Sequence, residues 1–400
     1  MWRLGFFFHE MSFGLMSIFL PLYIMSIDAG NGLYYIGVNS ALALFLAIPA
    51  SFFWGYICDK TRRYKRYILI SFLASAAFLY LFTFATNVGL LIILYAAMSV
   101  FHVAHEAPKN VLVAEMYSRG EWERTFAFYE GFTETGWLIG LLLGFLMSTY
   151  RIGTAETLFV CSGLNLLAFV LSLMLITDPL MMFERSLVNM EKTIDFTSRG
   201  VFLASKMLDG IHVNEKLKRE NVTAFCSGLI LFSLATSILF TPMPIFISNI
   251  TQAASLPTSI VFAIFVLNSA GGVVGYIFAG RRSGETMEKA NLGRVVIFRS
   301  FLAFLLIATM QAFAYAVTLA TVILVLMGLA YALFLVYTLS LSMELIPIGK
   351  AGLFNVLAGI GGACGSFIGP FIAQTADFVY VFIVAGIIFL LAYVAFRLFA

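Results

Sequence analysis

Charge is what this 400-residue chain has least of: Asp, Glu, Lys and Arg together make up 11%, against roughly a quarter in an ordinary soluble domain. Hydrophobic residues reach 61%, which excludes a water-soluble globule of normal surface. Cysteine is scarce as well. The four present, Cys58, Cys161, Cys226 and Cys364, include no close pair, and three lie inside apolar runs. These cysteines therefore indicate neither a disulfide framework nor a zinc site and read as packing. The formal net charge of +3 implies no nucleic acid partner, and no cofactor is implied either.

What is present is a series of apolar runs, each long enough at ~20 residues to cross a ~30 Å hydrocarbon core as a helix. The runs predict spans at 4–27, 33–57, 67–85, 88–117, 125–149 and 155–176, then 222–247, 257–279, 295–313, 316–346, 349–376 and 378–398. The fold class is all-α integral membrane protein, with about twelve transmembrane helices in two six-helix halves, 1–176 and 222–400. The first run is broken by His9 and Glu10 and has no small-residue cleavage site, so it is read as a spanning helix rather than a signal peptide. Residues 177–221 form a polar linker whose Lys and Arg alternate with Phe, Val and Leu, the pattern of short amphipathic helices on the inner membrane surface. With both termini cytoplasmic, only Arg151 falls in an external loop, so the positive-inside rule fixes that orientation.

The densest charge runs from Gly55 to Arg66, Gly-Tyr-Ile-Cys-Asp-Lys-Thr-Arg-Arg-Tyr-Lys-Arg. Gly55, Asp59, Arg62 and Arg63 resemble the loop between the second and third helices of major facilitator superfamily transporters. A weaker echo, Gly275-Tyr-Ile-Phe-Ala-Gly-Arg-Arg, has Ala279 where Asp59 stood. Pro21-Leu-Tyr-Ile is likewise echoed by Pro244-Ile-Phe-Ile, and the four-residue steps Gly136, Gly140, Gly144 by Gly361, Gly365, Gly369. Such echoes indicate a duplicated half. Glycines four apart also let helix backbones approach closely, replacing the hydrophobic drive that lipid cannot supply.

Ionisable residues inside the spans carry the functional expectation, because each costs roughly 2.5 to 3.5 kcal/mol at mid-membrane on insertion scales. The amino-terminal half holds Glu10, His102, His105, Glu106, Glu130 and Glu134, with His9 and Lys109 beside them. Residues 102, 105, 106 and 109 share a helical face, as do 130 and 134. The resemblance implies that helices one and four line a central cavity flanked by helix five, where these groups converge for proton coupling. Pro108 frees the carbonyl of Ala104 and allows the fourth helix to bend. The carboxy-terminal half has almost no charge at mid-membrane by this reading. Its candidate substrate contacts, with His9, are Asn268, Tyr331, Tyr337 and Asn355.

The histidines also suit a transition metal, but His-x-x-His-Glu is neither zinc-protease spacing nor its inverse, so a metalloenzyme is a poor fit. The resemblance further implies an inner gate of Gly55, Asp59, Arg62, Arg63, Glu115 and Arg124, with Asp59 meeting the start of helix eleven. The expectation is a monomeric, proton-coupled secondary transporter of a small organic solute in the plasma membrane bilayer. An uncoupled facilitator or a transition-metal transporter of the same fold remains the alternative.

Overall fold

The computed structural model describes residues 3–85, 87–106, 108–109, 122–177, 222–281, 285–311, 315–345 and 352–399. The linker 178–221 and Glu115 lie outside them. Among the described residues there are twelve helices long and apolar enough to span a membrane, and no strand. They are α1 (Leu4–Ile27), α2 (Gly32–Thr61), α3 (Tyr64–Phe82), α4 (Val88–His102), α5 (Trp122–Thr149) and α6 (Thr154–Leu175). In the second half follow α7 (Val222–Phe240, resuming as Met243–Ala253), α8 (Ser259–Arg281), α9 (Glu285–Thr309), α10 (Ala316–Leu345), α11 (Gly352–Thr375) and α12 (Phe378–Phe399).

The packing repeats. In the first half α1 lies against α5 and α6, α3 against α6 and α4, and α2 against α4; in the second, α7 lies against α11 and α12, α9 against α12 and α10, and α8 against α10. The two halves meet through a matching pair of contacts, α2 with α11 and α5 with α8. The expected glycine faces form close seams. A Cβ at Gly136 or Gly140 would collide with the carbonyl oxygens of Phe7 and Met11 on α1, and one at Gly361, Gly365 or Gly369 with those of Ile230, Leu234 and Ile238 on α7. Gly144 instead faces Phe262 of α8 and Leu15 of α1.

Three boundaries differ from the sequence reading. The span expected over 222–247 is broken at Thr241 and Pro242, because Pro242 and Pro244 both lack an N–H and restrict the residue before them. The regular α-helix of α4 ends at His102 and tightens into a 3-10 turn over Val103–His105, one turn before Pro108. The missing donor and the ring clash at Ala104 account for that tightening. Helix α9 starts at Glu285, ten residues before the apolar run at Val295. At the end of the bundle where α2 begins and α11 ends, Gln374 donates to the Gly30 carbonyl at 3.0 Å and Gly37 packs on Pro370, so α2 and α11 are joined there.

Candidate functional site

The backbone irregularity in α4 shapes the site. In the 3-10 turn the Glu106 N–H bonds to the Val103 carbonyl and leaves the His102 carbonyl without its usual helical donor. That oxygen accepts from Ser71 Oγ of α3 at 2.8 Å and from His105 Nδ1 at 2.6 Å. His105 therefore carries its proton on Nδ1, and its Nε2 faces Glu106 Oε1 at 3.3 Å. Nε2 and the carboxylate must share at least one proton for that contact to be favourable. Glu106 Oε2 in turn holds Lys109 Nζ at 2.8 Å.

His9 of α1 completes the cluster. It is fully buried, and its Nδ1 donates to Asn165 Oδ1 of α6 at 2.6 Å. The Asn165 amide is oriented by its own donations to Ser12 Oγ at 2.7 Å and the Cys161 carbonyl at 3.0 Å. With Nδ1 protonated, His9 Nε2 is an acceptor, and His102 Nδ1 lies 3.2 Å away. Two runs of side chains result, Asn165 to His9 to His102 and His105 to Glu106 to Lys109, which meet only where His105 bonds to the His102 backbone carbonyl. Ring nitrogens of His9, His102 and His105 lie within 4.8 Å of one another, close enough to converge on one transition-metal ion.

The acids sit beside this cluster. Glu10 is within electrostatic reach of Lys109, Glu106, Glu130 and Glu134, so the sequence-expected carboxylates do gather. Glu134 does more. Its Oε1 accepts from Ser269 Oγ of α8 at 2.5 Å, a bond between the two halves.

The second-half candidates are dispersed. Asn268 is used structurally, donating to the Leu324 carbonyl of α10 at 2.5 Å. Tyr337 is buried, and Tyr331 is 39% exposed. Histidine 9, expected among these substrate contacts, instead lies with the other histidines. The side chains of Asn355, Asp59 and Arg124 lie outside what the structure describes. Gly55 has open space where a side chain would be, and Arg62 ends α2 in the left-handed conformation at φ 54°.

Sequence reasoning missed Asn165, Ser71 and Ser269, and above all Arg299. The carboxy-terminal half was expected to lack mid-membrane charge. Arg299, however, is fully buried near the middle of the Asn291–Thr309 span. An isolated charge inside the run Val-Val-Ile-Phe-Arg-Ser-Phe-Leu was the available signal.

Comparison with known proteins bears on the fold. The sequence matches the profile of the Major Facilitator Superfamily over residues 4–353. No curated protein matches it. Among solved structures, the human organic anion transporter MFSD10 superposes with a TM-score of 0.71 at 15% identity, covering 99% of this chain and 97% of that one. The nucleoside transporter NupG gives 0.69 at 13% identity over 99% and 97%. A variant of the peptide transporter POT solved with sulfate gives 0.68 at 13% identity over 99% and 94%. With twelve spans in two matching halves and a family match over most of its length, the chain belongs to the major facilitator superfamily and is a transporter rather than an enzyme.

Proposed function

We propose that the chain is a proton-coupled secondary transporter of a small organic solute, working by rocking of its two halves about a central site. One observation carries the reading: Glu134, a carboxylate within reach of Glu10 and Glu130, bonds across the seam between halves to Ser269. A group that both titrates and holds the halves together is what coupling requires, because protonation then changes an inter-half contact. Glu10, His102, His105, Glu106 and Glu130 would pass or store the proton, and His9, Asn268, Tyr331, Tyr337 and Asn355 would face solute in some part of the cycle. Purified protein in liposomes should lose pH-gradient-driven concentrative uptake in Glu134→Gln and Glu106→Gln. Unchanged uptake in both variants rules out coupling through this cluster.

The convergence of His9, His102 and His105 favours a second reading, transition-metal binding, tested by thermal stabilisation with Zn²⁺ or Co²⁺ that disappears in His102→Ala.

The chain is a monomer of the plasma membrane with cytoplasmic termini in this proposal. A single cysteine at Ala253 should react with an impermeant reagent from outside, and one at Arg199 should not. At the inner gate of Gly55, Asp59, Arg62, Arg63, Glu115 and Arg124, the Asp59 carboxylate would favour the outward-open state by ~1 to 3 kcal/mol through the amino end of α11. Spin labels on the inner ends of α2 and α11 should move apart in Asp59→Asn; an unchanged distance removes the latch.

A further inference from the structure

Arg299 has no hydrogen-bond partner among the described residues for any of its three guanidinium nitrogens. Four aromatic rings enclose it instead: Phe232 at 4.9 Å, Phe389 at 5.2 Å, Tyr331 at 5.3 Å and Phe240 at 5.5 Å from the guanidinium carbon to the ring centroid. Ring faces attract a cation, but they accept none of its five N–H bonds in the directional sense, so the desolvation of this charge is only partly offset. A purely structural role is poorly served by such a residue, since Met or Leu would fill the same cage without the penalty. Its N–H groups call for an acceptor, and the positive charge favours an anionic one.

Phe232 and Phe389 are almost wholly buried, Phe240 is half-buried, and Tyr331 on α10 is the most exposed of the four at 39%. Tyr331 is within electrostatic reach of Arg299 and also of Glu134 and Glu130 of the opposite half.

We propose that Arg299 is the anchor for the carboxylate of an organic solute, with Tyr331 as the most exposed ring of its cage. The inference rests on the transporter reading and adds the substrate class. A guanidinium pairs with a carboxylate through two parallel N–H bonds, matching one charge to one charge, while an apolar body would be received by the surrounding rings. Sulfate or phosphate would bring more hydration to shed, and one guanidinium among phenyl rings cannot replace it.

The test uses full-length protein in lipid nanodiscs, with benzoate, 4-phenylbutyrate and hexanoate as probes and their uncharged amides and sulfate as controls. At least one carboxylate should raise the thermal midpoint saturably, with its amide at least tenfold weaker. Arg299→Met should fold, melt no lower than the wild type without ligand, and lose the carboxylate effect; Arg299→Lys should keep it, weakened about tenfold or more because Lys lacks the planar fork. Absence of any carboxylate effect overturns the proposal, as does a large drop in the ligand-free midpoint of Arg299→Met, which would make the arginine structural. Stabilisation by sulfate alone, lost in Arg299→Met, overturns it in favour of an inorganic-anion site. Equal binding of acid and amide, retained in Arg299→Met, removes the anchor and leaves the transporter reading intact.

Discussion

In the amino-terminal half, the groups around the end of α4 each have a partner: His9 has Asn165, His105 has the His102 carbonyl and Ser71, and Lys109 has Glu106. In the carboxy-terminal half, Arg299 has four aromatic rings about it and no acceptor among the described residues. The two halves share helix packing down to matching glycine seams, yet one carries a satisfied polar network and the other an unsatisfied charge. A satisfied network holds its geometry, whereas an unpaired charge stores a demand that a ligand can meet.

The sharpest way to break this contrast is to remove one member from each side. Glu106→Gln leaves Lys109, only 14% exposed, without its anion, and should cost ~3 to 5 kcal/mol in denaturation measurements. Most of that loss should return in the double variant Glu106→Gln with Lys109→Met. Arg299→Met should be neutral or stabilising in the same measurement, since it removes a charge that has no partner to orphan. Equal losses in the two single variants would erase the distinction.

A smaller effect sharpens the first half. Asn165→Leu deprives His9 Nδ1 of its acceptor in a fully buried setting and should cost ~1 to 3 kcal/mol, with a shifted imidazole resonance of His9 as the accompanying signature. The seams supply a comparison in which the halves should agree. Gly140→Val drives a side chain into the Met11 carbonyl and Gly365→Val into that of Leu234; each should cost ~1 to 3 kcal/mol by overpacking. The smallest effect is expected at Gly163 of α6, where an added Cβ meets nothing within 4 Å. Gly163→Ala should stabilise by ~0.5 to 1 kcal/mol through helix propensity alone.

The spans and seams were legible because both are periodic properties of composition: twenty apolar residues for a bilayer, four residues for a helical face. The gathering of His102, His105 and Glu106 was legible for the same reason, being local. His9 was harder, since its partner Asn165 is 156 positions away and only the packing of α1 on α6 joins them. Arg299 was missed through a boundary. With the ninth span started at Val295, an arginine four residues in passes for an end-of-helix charge; with α9 starting at Glu285, it lies fourteen residues along the helix. The 3-10 turn was half legible, as Pro108 announced a disturbance while the acceptor it releases, the His102 carbonyl, depends on how the turn closes.

The break in α7 has a mechanical meaning of its own. Its counterpart α1 carries one proline at the matching place, Pro21, and continues unbroken to Ile27; α7 carries Pro242 and Pro244 and stops at Phe240. Below the break, α7 is welded to α11 along Gly361, Gly365 and Gly369. Above it, the Met243–Ala253 segment leans on α1, α8 and α10, with Phe246 against Phe378 and Phe382 of α12. A helix interrupted by two prolines is weakest in bending at that point. The eleven-residue Met243–Ala253 segment can therefore change its angle to the shaft at Thr241 and Pro242 without disturbing the seam along Gly361, Gly365 and Gly369.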